Sequence, residues 1–188
     1  MRTLKLQVQI SVDGFITGLN NEMDWMEFNW GDDAKKYVDD LTKSVDCIVL
    51  GRKLAQGFIP HWAAVAANPE NPEVLAGRKL TDTPKVVFSK TLKESVWENT
   101  VVANGDLLEE ISRLKQLNGS DIIVYGGATF VSALIKAGLI DELHLFVNPA
   151  AIGQGKPIFA ELQAKQNLKL QKATAFDCGI VVLHYTLN

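Results

Sequence analysis

The stretch Ile123-Val124-Tyr125-Gly126-Gly127-Ala128-Thr129-Phe130, IVYGGATF, carries an apolar, strand-like segment into two glycines and straight on into a helical pattern. Glycine is unfavourable in both of the elements it separates here. A pair of them at the joint implies a backbone at positive φ or a close approach by another group. Upstream, DLLEEISRLKQLNG (106–119) is an amphipathic helix with a glycine stop; downstream, ATFVSALIKAG (128–138) is a helix closed by Gly138, and IDELHLFV (140–147) is a further strand.

The same alternation extends to the rest of the chain. LKLQVQISV (4–12) has period two and breaks at Asp13-Gly14, which predicts a first strand delivering a loop that continues through NNEMDW. DAKKYVDDLTKS (33–44) sets Ala34, Tyr37, Val38 and Leu41 at helical spacing, with Asp32 or Asp33 placed to cap it. DCIVLGRK and KVVFSK contain continuous apolar runs, the mark of strands covered on both faces, that end at Gly51-Arg52-Lys53 and Ser89-Lys90. Near the end, LKLQKATAF and IVVLHYTL flank Asp177-Cys178-Gly179 closely enough to require an antiparallel hairpin. Residues 60–83, with three prolines and no strand pattern, are expected to form an irregular excursion with short helices. The fold class is α/β: helices covering a mixed sheet, in one domain spanning residues 1–188.

Nineteen Lys plus Arg against twenty-two Asp plus Glu give a net charge of -3, which argues against a nucleic-acid or anionic-membrane surface as the primary role. The opening segment alternates instead of forming a signal-peptide core, and no apolar run approaches membrane-spanning length. Cys47 and Cys178 show no metal-ligand or CxxC spacing and read as free thiols, in keeping with a cytoplasmic protein. The three histidines, His61, His144 and His184, form no His-x-His or His-Glu pattern, so no metal site is expected, and they read as core or edge residues.

Three strand ends share a chemistry. In an open α/β sheet, ligands collect at the carboxyl ends of parallel strands, where helix N-termini present free N–H groups to anions. Gly126 and Gly127 would let a pyrophosphate reach the backbone, with the Thr129 hydroxyl in the first turn. Arg52, Lys53, Ser89 and Lys90 are the groups suited to a further phosphate on a ribose, the feature that separates NADPH from NADH. Neither G-x-G-x-x-G nor a P-loop is present, and Pro157 ends the later GQGKP as a loop.

The order QISVDGFITG, DWM, DCIVLGRK, KVVFSKTL and IVYGGATFVSALIKAGLIDELHLFVNPAAIGQGKPIF resembles the dihydrofolate reductase-like superfamily, most closely the branch with the reductase domain of bacterial riboflavin biosynthesis and its stand-alone relatives. The similarity covers nearly the whole chain, strongest from Ile122 to Phe159. It implies a three-layer arrangement around a mixed, mostly parallel sheet of about eight strands, an NADPH site at the strand ends, and a homodimer. By the resemblance, Gly51, Arg52 and Lys53 form the cofactor turn. Ser89 and Lys90 form the second phosphate-contacting end, and Gly126 and Gly127 lie beneath the pyrophosphate with Tyr125, Ala128 and Thr129 beside them. Leu54 stands where many relatives have threonine, so one phosphate-binding hydroxyl is missing. The loop from Asp13 to Trp25 is similar to the one that closes over nicotinamide, with Phe15 and Ile16 near the ring. Asp13 is the favoured substrate-facing acid, and Asp24, Trp25 and Asp33 are candidate substrate contacts. The turn and cap roles open to all three aspartates stand as the competing reading.

The resulting expectation is an NADPH-dependent reductase of a small planar heterocycle. Two rivals stand beside it: a ribosylaminopyrimidine or dihydrofolate reductase in particular, and a nucleotide-binding module that has kept the fold without turnover.

Overall fold

A computed structural model describes residues 1–187. In chain order the elements are β1 (Leu4–Ile10), β2 (Phe15–Thr17), α1 (Asp32–Thr42), β3 (Val45–Gly51), α2 (Arg52–Ala67), α3 (Val74–Asp82), β4 (Lys85–Phe88), β5 (Thr100–Ala103), α4 (Leu107–Gln116), β6 (Asp121–Tyr125), α5 (Ala128–Lys136), β7 (Glu142–Val147), β8 (Lys156–Pro157), β9 (Leu168–Ala175) and β10 (Val181–Leu187). Eight strands form one sheet in the order β5-β4-β3-β6-β1-β7-β10-β9, and β2 pairs with β8 in a small second sheet. Every pairing from β5 through β7 is parallel, while β10 runs antiparallel to both β7 and β9. The mixed, mostly parallel sheet and its terminal hairpin are as expected.

Alternation along β1 sets the layers. Leu4, Leu6, Val8 and Ile10 are buried and pack with Ile111 and Leu114 of α4 and with Val131, Leu134 and Ile135 of α5. Lys5, Gln7 and Gln9 therefore point to the opposite face. On that face the apolar contacts divide in two. Ala34 and Leu41 of α1 pack with Phe146, Phe176 and Val182, whereas Ala55 and Ile59 of α2 pack with Ile48, Leu50, Val87 and Ile123. The polar side of β1 runs between these two clusters: Gln7 pairs in register with Tyr125 on one side and His144 on the other, and Gln9 pairs with Phe146.

Several elements differ from the sequence reading, among them the unread strands β2 and β5. The expected irregular excursion is regular: α2 continues through Pro60 to Ala67, and α3 follows. Proline inside a helix removes one hydrogen bond and crowds the carbonyl four residues back, here that of Gln56. Pro60 and Gln56 are both exposed, so water can take up that carbonyl, while Ile59 and Val65 keep their buried contacts. The GQGKP segment is a loop with a two-residue strand at its end, β8, paired to β2. Cys47 is a buried free thiol and Cys178 a partly buried one.

Candidate active site

The sheet order places the carboxyl ends of β4, β3, β6 and β1 side by side. Adjacent strands are about 4.8 Å apart. Ser89-Lys90, Gly51-Arg52-Lys53, Gly126-Gly127 and Asp13-Gly14 thus leave the sheet from one continuous edge. The segments converge as the anion-cradle reading requires.

Helices α2 and α5 begin at this edge, and both start without a cap. Gly51 and Gly127 occupy their N-cap positions, no side chain bonds the free N–H groups, and neither first turn holds an acidic residue. Of the other three helices, α4 has a side-chain cap, the Asp106 carboxylate accepting from Leu108 N at 2.9 Å and Glu109 N at 3.2 Å; α1 has Asp32 and Asp33 in its first turn, and α3 has neither a side-chain cap nor an acidic first turn. Helix α2 opens instead with Arg52 and Lys53, an arrangement opposed by the positive end of the helix dipole. Among the described residues, Arg52, Lys53 and Lys90 have no ion-pair partner, and Lys53 and Lys90 are exposed.

The glycines have separate reasons. Gly126 and Gly127 sit at φ 30° and 83°, a region closed to most side chains. A Cβ on Gly126 would enter the space between Leu54 Cδ2, at 3.6 Å, and Ile16 Cδ1, at 3.7 Å. Gly51 is needed for packing, since a Cβ there would come within 3.0 Å of the Phe130 side chain. A backbone open to close approach, two unfilled helix ends and surplus cations fit a dinucleotide's phosphates. Gly51, Arg52, Lys53, Gly126, Gly127, Ala128 and Thr129 are the residues that would hold it.

Several expected residues have local structural employment. The Asp13 carboxylate accepts from Ser11 Oγ at 2.6 Å, Gly153 N at 2.7 Å and Ile152 N at 3.1 Å, which ties the first loop to the one after β7. The Ser11 hydroxyl above all, with those two backbone N–H groups, lowers its pKa and keeps it ionised. Asp33 likewise accepts from Asp177 N at 3.0 Å and Ala34 N at 2.8 Å, joining α1 to the β9–β10 turn. The Ser89 hydroxyl accepts from Thr91 N and Leu92 N and so shapes its own turn. Ile16 is buried beside Gly126, but Phe15 packs on Gly155 on the β8 side. Trp25 donates from Nε1 to Glu22 O at 3.3 Å, within its own loop, and Asp24 is exposed without an ion-pair partner among the described residues.

Sequence reasoning missed Gln7 and Gln9. Both amide oxygens are enclosed and lack a hydrogen-bond partner, on the face where β1 separates the α1 and α2 clusters. Aromatic groups line the flanks: Phe58 of α2 stacks on Tyr125 with ring centroids 5.2 Å apart, and Trp30 stacks on Phe146 at 5.5 Å. Burial pushes the Tyr125 phenol up, so it stays protonated. The two unpartnered amide oxygens thus lie on the strip of β1 between the α1 and α2 clusters, with Tyr125 and His144 flanking Gln7 and Phe146 beside Gln9. A separate hollow of about 440 Å³, lined by Arg2, Asp46, Cys47 and Lys85 among others, lies at the opposite end of the strands.

Comparison with known proteins bears on the fold and the family. Residues 2–182 match the RibD C-terminal domain family. The chain is 32% identical over 189 residues to the uncharacterized protein YyaP of Bacillus subtilis, covering 100% of this chain and 96% of that one. Its fold is that of a bifunctional diaminohydroxyphosphoribosylaminopyrimidine deaminase/5-amino-6-(5-phosphoribosylamino)uracil reductase from Thermotoga maritima, with TM-score 0.70 at 15% identity, over 100% of this chain and 57% of the larger protein. A dihydrofolate reductase from Enterococcus faecalis, complexed with NADP(H) and an inhibitor named RAB-propyl, superposes with TM-score 0.62 at 17% identity, covering 99% and 96% of the two chains.

Proposed function

Because the chain belongs to the RibD C-terminal domain family, we propose that it is an NADPH-dependent reductase of a small planar heterocycle. The observation that carries the proposal is the pair of uncapped helix N-termini on neighbouring strand ends, with Arg52, Lys53 and Lys90 left without counter-ions. The Enterococcus neighbour's NADP(H) complex supports the choice of cofactor. When bound, the dinucleotide supplies a hydride; the chain's residues bind, orient and shield.

The free N–H groups of α2 and α5 hold the pyrophosphate, and Arg52 with Lys90 holds the phosphate on the ribose. Ile16, buried against Gly126, excludes water from the nicotinamide side. Gln7 and Gln9 meet the substrate. An enclosed amide oxygen without a partner calls for an N–H donor, and an amide offers donor and acceptor side by side. A lactam or aminopyrimidine edge answers both. The uracil reductase activity of the Thermotoga neighbour supports a substrate of this class.

One observation favours a second reading. Asp13 and Asp33, the carboxylates best placed to handle a proton, are both committed to backbone N–H groups and held ionised. Asp24 and Asp32 are left among the aspartates singled out, both exposed, so a nucleotide-binding module without turnover is the competing function. The test is direct: titrate NADPH and NADH separately, then follow nicotinamide absorbance with dihydrofolate, pterins, flavins and aminopyrimidines. Oxidation of NADPH by one member is expected, with Gln9→Leu raising KM about tenfold and leaving NADPH affinity unchanged. Tight NADPH binding with no oxidation by any of them selects the module.

A further inference from the structure

On the α1 face of the sheet, away from the anion cradle, three residues form a cluster that the reductase reading does not use. Glu142 and His144 stand two apart on β7, so strand alternation gives both side chains the same face. His184 on β10 pairs directly across from His144. Glu142 Oε2 lies 3.2 Å from His144 Nε2 and 3.4 Å from His184 Nε2. One ligand atom from each residue falls within 4.8 Å of the others.

Around a tetrahedral ion with bonds of 2.0–2.1 Å, neighbouring ligand atoms are about 3.3 Å apart. The two carboxylate–imidazole edges have that length. His184 Nε2 is enclosed and makes no hydrogen bond. On the far side of the other ring, His144 Nδ1 lies 2.9 Å from the Tyr37 hydroxyl. Metal-binding imidazoles are oriented by such an outer hydrogen bond, which leaves the second nitrogen for the ion.

We propose that Glu142, His144 and His184 form a binding site for a divalent ion of the Zn²⁺ class, open to water at one position, which fastens the β9–β10 hairpin to the parallel part of the sheet. Two imidazoles and one carboxylate are a donor set suited to zinc and its transition-metal neighbours, and poorly suited to magnesium or calcium.

Two neighbours shape the site. The imidazole rings stack with centroids 4.1 Å apart and planes 16° from parallel, whereas an ion binds near the plane of each ring, so loading turns one of them. His184, with 23% of its side chain exposed against 6% for His144, has the room to turn. Lys5 pairs in register with Glu142 and brings a positive charge to the same face. Its ammonium is engaged 2.7 Å from the Asp121 carboxylate, which offsets that charge.

The experiment titrates Zn²⁺ alone into the full chain after chelator treatment, by calorimetry, with Mg²⁺ as the competitor and imidazole NMR as the second readout. One ion per chain is expected, undisturbed by millimolar-scale Mg²⁺, with the His144 and His184 ring resonances moving together. His184→Gln and Glu142→Gln should each weaken binding at least about tenfold, and His61→Gln, at an exposed histidine on α2, should not. Should Glu142→Gln fail to fold, His184→Gln on the partly exposed strand decides. Absence of stoichiometric binding, or binding that leaves both rings unmoved or survives His184→Gln, overturns the proposal.

Discussion

The two ends of the central sheet treat charge in opposite ways. At the amino end three enclosed cations are ion-paired, Arg2 with Asp46, Lys5 with Asp121 at 2.7 Å and Lys115 with Asp141 at 2.6 Å, and a fourth, Lys85, donates to the Thr81 and Thr83 carbonyls. At the carboxyl end, Arg52, Lys53 and Lys90 are left without partners, next to helix N-termini that lack caps. Unpaired like charges at a positive helix end cost stability. The three open cations at the carboxyl end are the feature on which the proposed anion site rests.

The contrast can be broken most severely at the amino end. Asp141→Ala strands the Lys115 ammonium, whose side chain is 8% exposed, and the Leu4 N–H that Asp141 also accepts. A loss of about 3 kcal/mol is expected, the low end for breaking a buried pair because Asp141 itself is 43% exposed. Urea unfolding would measure it, and NADPH affinity should not change.

At the carboxyl end the signs reverse. Arg52→Ala with Lys90→Ala should weaken NADPH about 100-fold and NADH less than about threefold, while folding stability holds or rises by about 0.3–1 kcal/mol as a cation leaves the start of α2. Equal losses for the two nucleotides would refute the phosphate assignment. A smaller effect is expected of Gly126→Ala: about 1 kcal/mol of stability from the positive φ, with a methyl entering the space between Leu54 and Ile16 and weaker binding of both nucleotides.

The smallest effect belongs to Asp33, whose folded pKa is depressed by the N–H of Asp177 and then that of Ala34. A depressed carboxylate contributes stability above its unfolded value, about 3.9, and loses it as pH falls through the folded value. Asp33→Asn should therefore flatten the loss of stability below about pH 4, as read from urea midpoints across the acid range. An unchanged acid profile would mean that the α1–hairpin link carries no weight.

The strand ends were legible because their signals are local. An apolar run that stops at Gly-Arg-Lys, Ser-Lys or Gly-Gly reports a strand end with a particular chemistry, whatever the strand's neighbours. The enclosure of Gln7 and Gln9 was not legible. Gln7 and Gln9 alternate with buried residues as a solvated strand face would, and only the separation of α1 from α2 on that face encloses them. Asp13 and Asp33 show the same limit from the other side: their type suits acid chemistry, but the backbone groups that occupy them come from residues 152–153 and 177. Pro60 misled because a proline is a local obstacle, and the exposed turn around it with the buried residues beside it are tertiary facts. Glu142, His144 and His184 stayed hidden because a strand pairing forty residues away supplies the third member.

The division of the upper apolar face also has a dynamic consequence. Since α1 and α2 are anchored in clusters with no member in common, either helix can tilt over the sheet without repacking the other. Amide hydrogens beneath the two should open as separate cooperative units.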